Sequence, residues 1–157
     1  MDSTGRLPKA DGRWLAEQLT KAMTLLKVAG VVGARVVSDA EMAEAHQRWS
    51  GVSGTTDVLT FDLSDSPATG GAPAHADSPP NVAADVLICL DQAERQAKVR
   101  GHSARDELLL YLVHALLHCM GHDDHDEPAA TRMHAEEDRL LLALGVGVVY
   151  ARPEGRA

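Results

Sequence analysis

Cysteine is scarce: the 157 residues hold two, Cys89 and Cys119, thirty positions apart and outside any CxxC pair. That spacing disfavours a disulfide framework or a cysteine zinc knuckle, so both are expected to be buried thiols. Long hydrophobic runs are missing as well. No segment approaches the roughly eighteen uninterrupted apolar residues that mark a membrane-spanning helix, and the opening stretch MDSTGRLPKADGRW has no apolar signal core. A soluble, cytoplasmic protein with no membrane partner is expected. Positive charge is also short: 15 Lys and Arg stand against 23 Asp and Glu, a formal net charge of -8. Neutralising phosphates needs clustered Lys or Arg, so a broad nucleic-acid surface is disfavoured. DNA is not an expected partner, and only a local basic patch remains open.

What is present fits one globular domain over residues 1–157, with 45% hydrophobic residues and length enough for a core. The stretch RWLAEQLTKAMTLLKVAG carries apolar residues near helical spacing, with Gly30 as a stop, and VVGARVV reads as a strand. Ser38 and Asp39 offer an N-cap for a helix that ends near Gly51, and DVLTFDL is a second strand. The almost unbroken NVAADVLICLD is a third, interrupted by Asp85, and a helix over QAERQAKVRG follows to Gly101. Ser103 caps a helix from about Ala104 to Met120 that is apolar nearly all round and belongs in the centre of the fold. A last helix starts near Asp126, with Pro128 in its first turn. The expected architecture is α+β, a mixed sheet of about four strands covered by helices. Residues 1–12 are expected to be flexible and the Pro/Gly-rich stretch 64–80 to form a mobile loop.

The run HALLHCMGHDDH, His114 to His125, is out of place on such a helix. Ionisable groups are excluded from a buried helix unless they have partners. His114 and His118 are four apart, so their rings project from one face about a turn apart, where two nitrogens can reach one ion at about 2.0–2.1 Å. Gly121 lets the chain turn, so that Asp124 or His125 can fold back as a third ligand. Three protein ligands leave an open position, the mark of a catalytic zinc site, where bound water is acidified and becomes a nucleophile. Two histidines at this spacing also arise by chance; the glycine and the dense His/Asp cluster beside them favour the metal. His122, Asp123 and Asp126 read as solvated or capping groups, and His46, His75 and His102 as surface histidines. In the HExxH arrangement the residue after the first histidine is a Glu that serves as base; here it is Ala115. Ordinary metalloprotease chemistry is therefore disfavoured.

HALLHCMGHDD, ADVLICLDQAERQA before it, TTDVLTFDL further upstream and MHAEEDRLLLALG after it together resemble the YbeY family of metal-dependent endoribonucleases, which act in ribosomal RNA maturation. The likeness spans roughly residues 31 to 150 and is most specific in the HxxxH helix. It implies an α+β domain with a zincin-like site, one zinc ion, and ribosomal RNA or a ribosomal subunit as partner. The family motif HGxLHLxGYDH places the first two ligands on His114 and His118 and the third on Asp124, where the family usually has His. Carboxylate oxygen is an acceptable zinc ligand at about 2.0–2.2 Å. By alignment the third ligand is Asp124; by ligand softness it would be His125.

The resemblance also makes Thr56, Asp57 and Asp85 framework residues of the site. Met133 and Glu137 match a Met-x-x-x-Glu spacing, which leaves Glu137 as a support for the ligands or as a surface salt bridge. Where the family often has an Arg suited to phosphate, this chain has Ser50, and Arg48 would have to replace it. The general base is unassigned. Two other readings stay open: a hydrolase of the same fold with a non-nucleic substrate, and a non-enzymatic ribosome-assembly factor with a structural metal.

Overall fold

The computed structural model describes residues 1–64, 79–147 and 149. Eight elements follow in order: α1 (Lys9–Leu25), β1 (Ala29–Val37), α2 (Asp39–Ser50), β2 (Val58–Asp62), β3 (Asn81–Cys89), α3 (Leu90–Arg100), α4 (Ala104–Cys119) and α5 (Glu127–Ala143). Strand β3 lies in the middle of the sheet, parallel to β1 and antiparallel to β2. The α+β class and the mixed sheet are as expected, but the described residues form three strands rather than about four. A fourth is reduced to a single parallel bridge, Asp2 to Val36. The Asp2 carboxylate accepts from the amides of Thr4 and Leu7, which turns the chain off the sheet edge after Ser3. Residues 1–3, expected to be flexible, are tied to β1: the Met1 ammonium donates to the Ala34 carbonyl (2.7 Å) and Val36 N–H to the Met1 carbonyl (2.9 Å). Apart from its two ends, the expected loop over 64–80 lies outside the described residues.

Local signals set most boundaries. Ser38 and Glu41 form a reciprocal capping box at the start of α2, and Gly51 closes that helix in the left-handed region. Ser103 accepts from Asp106 N–H to start α4, and Asp126 accepts from Ala129 N–H to start α5. Gly30 is not the stop of the first helix, which ends at Leu25. It sits inside β1 at φ 123°, where an added Cβ would meet the Val82 carbonyl oxygen at 1.9 Å. The backbones of β1 and β3 approach so closely there that only glycine fits.

Helix α4 is the centre of the molecule, as its apolar sequence predicts. Leu108 to Val113 and Ala115 to Leu117 are all buried, packed with Val82, Val86 and Ile88 of β3, Leu15 and Leu19 of α1, and Met133, Leu140 and Leu141 of α5. Each such side chain contributes about 1.5–3 kcal/mol by leaving water. Alternation along β3 turns Val82, Ala84, Val86 and Ile88 toward the helices and Ala83, Asp85 and Leu87 to the opposite face. That second face is covered at one end, where Met42 of α2 packs with Val37 and Cys89. Cys89 is buried and Cys119 half-buried. Among the described residues no helix is long and apolar enough to cross a membrane.

Candidate metal centre

Burial fixes the backbone of α4, and with it two imidazoles on adjacent turns of one face. The ring centroids of His114 and His118 are 4.5 Å apart, and their Nε2 atoms face each other at 3.0 Å. Each ring is oriented through its other nitrogen. His114 Nδ1 meets Glu137 Oε1 at 2.6 Å, and His118 Nδ1 meets the carbonyl of His122 at 3.0 Å. Carboxylates and carbonyls only accept, so both Nδ1 atoms carry the proton and a neutral ring presents its lone pair at Nε2. Facing each other at 3.0 Å, the two Nε2 atoms can share a proton when one ring is charged, or can both turn to a cation beside them.

The third group arrives by way of the helix end. Gly121 takes φ 91°, the His122 amide donates back to the Leu117 carbonyl, and the chain reverses. Asp124 Oδ2 then lies 3.9 Å from His114 Nε2 and 3.8 Å from His118 Nε2. A triangle with sides of 3.0, 3.8 and 3.9 Å has a point about 2.1 Å from all three corners, the ordinary zinc–nitrogen and zinc–oxygen distance. The donor set, two imidazoles and a carboxylate, suits a borderline divalent ion. All three side chains keep a solvent-exposed portion, so the centre opens outward. His125 lies apart from these three: its side chain is 84% exposed and its Nδ1 is paired with Asp123.

Glu137 is fully buried, so it is a support beneath His114 and not a surface salt bridge. Its second oxygen, Oε2, has no hydrogen-bond partner among the described residues. Burial alone would depress the His114 pKa. The hydrogen bond and charge of Glu137, with the charges of Asp57 and Asp124, outweigh it and hold the ring above the ordinary histidine value. Asp57 therefore stands within electrostatic reach of the centre, whereas Asp85 does not belong to it. Asp85 pairs with Phe61 on the sheet face turned away from α4. Arg48 lies over the ring of Trp49, 5.4 Å from its centroid, and Trp49 meets Phe61 edge-on at 5.7 Å. The structure thus brings His114, His118 and Asp124 together and sets Arg48 beside the opposite face.

A second polar cluster escaped the sequence reading. Glu107 is fully buried in the first turn of α4, where it accepts from Arg100 at 2.7 Å and from His102 Nε2. His102, expected at the surface, is nearly buried by this pairing. His46 is half-buried against the Gly54 carbonyl, and His75 lies outside the described residues. The signal for Glu107 was an acid, the second of the pair Asp106–Glu107, directly before LLLYLV; its partners on α3 and the α3–α4 turn were not evident.

The profile of the family described as Endoribonuclease YbeY matches residues 6–145, a span that contains all three candidate ligands and Glu137. The chain belongs to the YbeY family. Among its relatives, the protein named Endoribonuclease YbeY of Acidothermus cellulolyticus is 39% identical over 109 residues, 69% of this chain and 66% of that protein. Those of Mycobacterium tuberculosis and Mycobacterium leprae are each 36% identical over 106 residues, 68% of this chain and 59% of theirs. The matched stretch thus spans less than two thirds of the length of these YbeY proteins. The solution structure of TM1509 from Thermotoga maritima superposes with a TM-score of 0.54 at 19% identity over 96% of both chains, a likeness of fold alone.

Proposed function

We propose that this chain is a zinc-dependent endoribonuclease that acts in the cytoplasm in ribosomal RNA processing and maturation. Its partner would be ribosomal RNA or a ribosomal subunit. The observation that carries the reading is the pair of imidazole lone pairs converging at 3.0 Å beside Asp124 in a chain of the YbeY family. One zinc ion held by His114, His118 and Asp124 in a zincin-like arrangement would supply Lewis-acid polarisation of a phosphoryl oxygen and a nucleophile at neutral pH.

The chain's own residues then have distinct tasks. Glu137 fixes the His114 tautomer and raises the basicity of its ring. The His122 carbonyl does the same for His118, and the turn at Gly121 presents Asp124. Strand β2 is the sheet edge beside α4, so a single RNA strand passing over it would reach the centre on one side and Arg48 on the other. Arg48 would grip a phosphate there in place of the Arg that the family often carries at the Ser50 position.

Metal analysis of the untagged protein beside His118→Ala tests the reading, together with cleavage of ribosomal RNA precursors, peptides and small esters. About one zinc per chain, lost in the variant along with RNA cleavage, is expected. Cleavage of esters but not RNA would replace the substrate. A fourth protein ligand in the zinc's X-ray absorption spectrum would make the metal structural.

A further inference from the structure

Among the described residues the sheet face turned away from α4 is covered by α2 at one end and open beyond it, and what stands on it is unusual for an acidic chain. The protein has one Phe, two Tyr and two Trp, and two of these aromatic rings meet here, Trp49 edge-on to Phe61 at 5.7 Å. Trp49 is 64% exposed. Leaving so large an apolar ring in water is unfavourable unless something stacks on it. The Arg48 guanidinium lies over its ring, and Arg35 projects from β1 on the same sheet face. Between Arg35, Phe61 and Asp85 is a cavity of 320 Å³, floored by Gly33.

Asp85 is the distinctive group in that cavity. It is exposed, and its carboxylate has no hydrogen bond or ion pair among the described residues. Its position depends on Gly33, since a Cβ there would meet Asp85 Oδ1 at 2.4 Å. The sequence thus keeps a vacant pair of acceptor oxygens beside two aromatic rings and flanks them with two arginines. A carboxylate is matched bidentately by two adjacent N–H donors, and guanine is the nucleobase whose Watson–Crick edge offers them. Single-stranded RNA is read in this way, by bases stacked on aromatic rings and bonded along that edge.

We infer that this face is a base-reading subsite for single-stranded RNA that selects guanine. Trp49 stacks the base and Phe61 meets it edge-on, Asp85 accepts from its Watson–Crick edge, and Arg35 and Arg48 contact the flanking phosphates. The inference rests on the reading of the chain as a ribonuclease. It also accounts for RNA binding without a basic surface, because stacking and edge recognition replace most of the phosphate neutralisation.

The test is binding of 2′-O-methyl hexanucleotides, uridine apart from one central guanine or adenine, to the full chain by fluorescence anisotropy. Cleavage of unmodified RNA is measured alongside. Guanine should be preferred by at least about tenfold, the order expected of one bidentate contact. Asp85→Asn should remove the preference or turn it toward adenine, which amides match. Gly33→Ala, which keeps every polar group but displaces the carboxylate, should reduce it, and Trp49→Ala should weaken both oligonucleotides alike. Equal affinity for the two in the wild type, or a preference unchanged in Asp85→Asn with native melting behaviour, would overturn the subsite. A guanine preference in a protein that cleaves no RNA would leave the subsite standing and remove the nuclease reading. Cleavage without base preference would do the reverse.

Discussion

Near the start of α4, Glu107 is fully buried and pairs with His102; near its end, His114 pairs with Glu137, also fully buried. Both are carboxylate–histidine pairs against the same core, yet they do different things. Around Glu107 an arginine completes the set: Arg100 binds one oxygen and His102 the other, so the buried charge is neutralised within the protein. Around Glu137 no arginine is paired among the described residues. One oxygen holds His114, and the ring passes the interaction outward to its free nitrogen, which faces His118. A buried carboxylate closed by its neighbours is scaffold, while one whose partner points out toward solvent prepares a binding site.

Variants can break or sharpen that contrast. The largest effect is expected from His114→Ala, which should take bound zinc from about one per chain to none and abolish RNA cleavage; unchanged stoichiometry in metal analysis would refute the chelate. Glu107→Ala removes the acceptor that Arg100 and His102 share and should lower stability by about 3–5 kcal/mol in urea unfolding, with the metal content of the folded protein unaltered. Glu137→Gln keeps the shape but weakens the grip on His114, and zinc affinity in a competitive chelator titration should fall about 10–100-fold.

The pH response separates the two states of the open pair. In the metal-free protein the folded His114 pKa lies above its unfolded value, so its stabilising contribution is full below the unfolded value, near 6.5. That contribution is lost as pH rises through the folded pKa. Zinc needs the unprotonated ring, so stabilisation by added zinc should grow over the same range. Melting with and without zinc at several pH values reads both slopes, and parallel slopes would contradict the assignment. The smallest effect is reserved for His125→Ala, which should leave zinc stoichiometry unchanged and so distinguish Asp124 as the third ligand.

The legible part of this molecule was local. Ser38, Gly51, Gly101, Ser103, Gly121 and Asp126 act on neighbours within a few residues, so they marked element boundaries directly. The HxxxH spacing needed only helical geometry. Harder features depended on contacts between distant segments. Gly30 looked like a helix stop because its true constraint, the carbonyl of Val82, is fifty-two residues away. The burial of Glu137 and the partners of Glu107 depend on how α3, α4 and α5 pack. The resemblance makes Asp85 a framework residue of the site, but strand alternation puts it on the face turned away from α4.

The pairing of β1 with β3 has a kinetic side. Every register pair between them, from Ala29 with Asn81 to Val37 with Cys89, joins residues fifty-two apart, so the central ladder cannot form until a long loop has closed. Loop closure is entropic and its return comes only with the contacts themselves, which slows folding in proportion to such separations. The three candidate ligands, by contrast, lie within eleven positions, from His114 to Asp124. On the proposed assignment the ion would be caught by the end of α4 and its turn before the sheet is complete, and refolding in its presence would begin from a pre-tied C-terminal half.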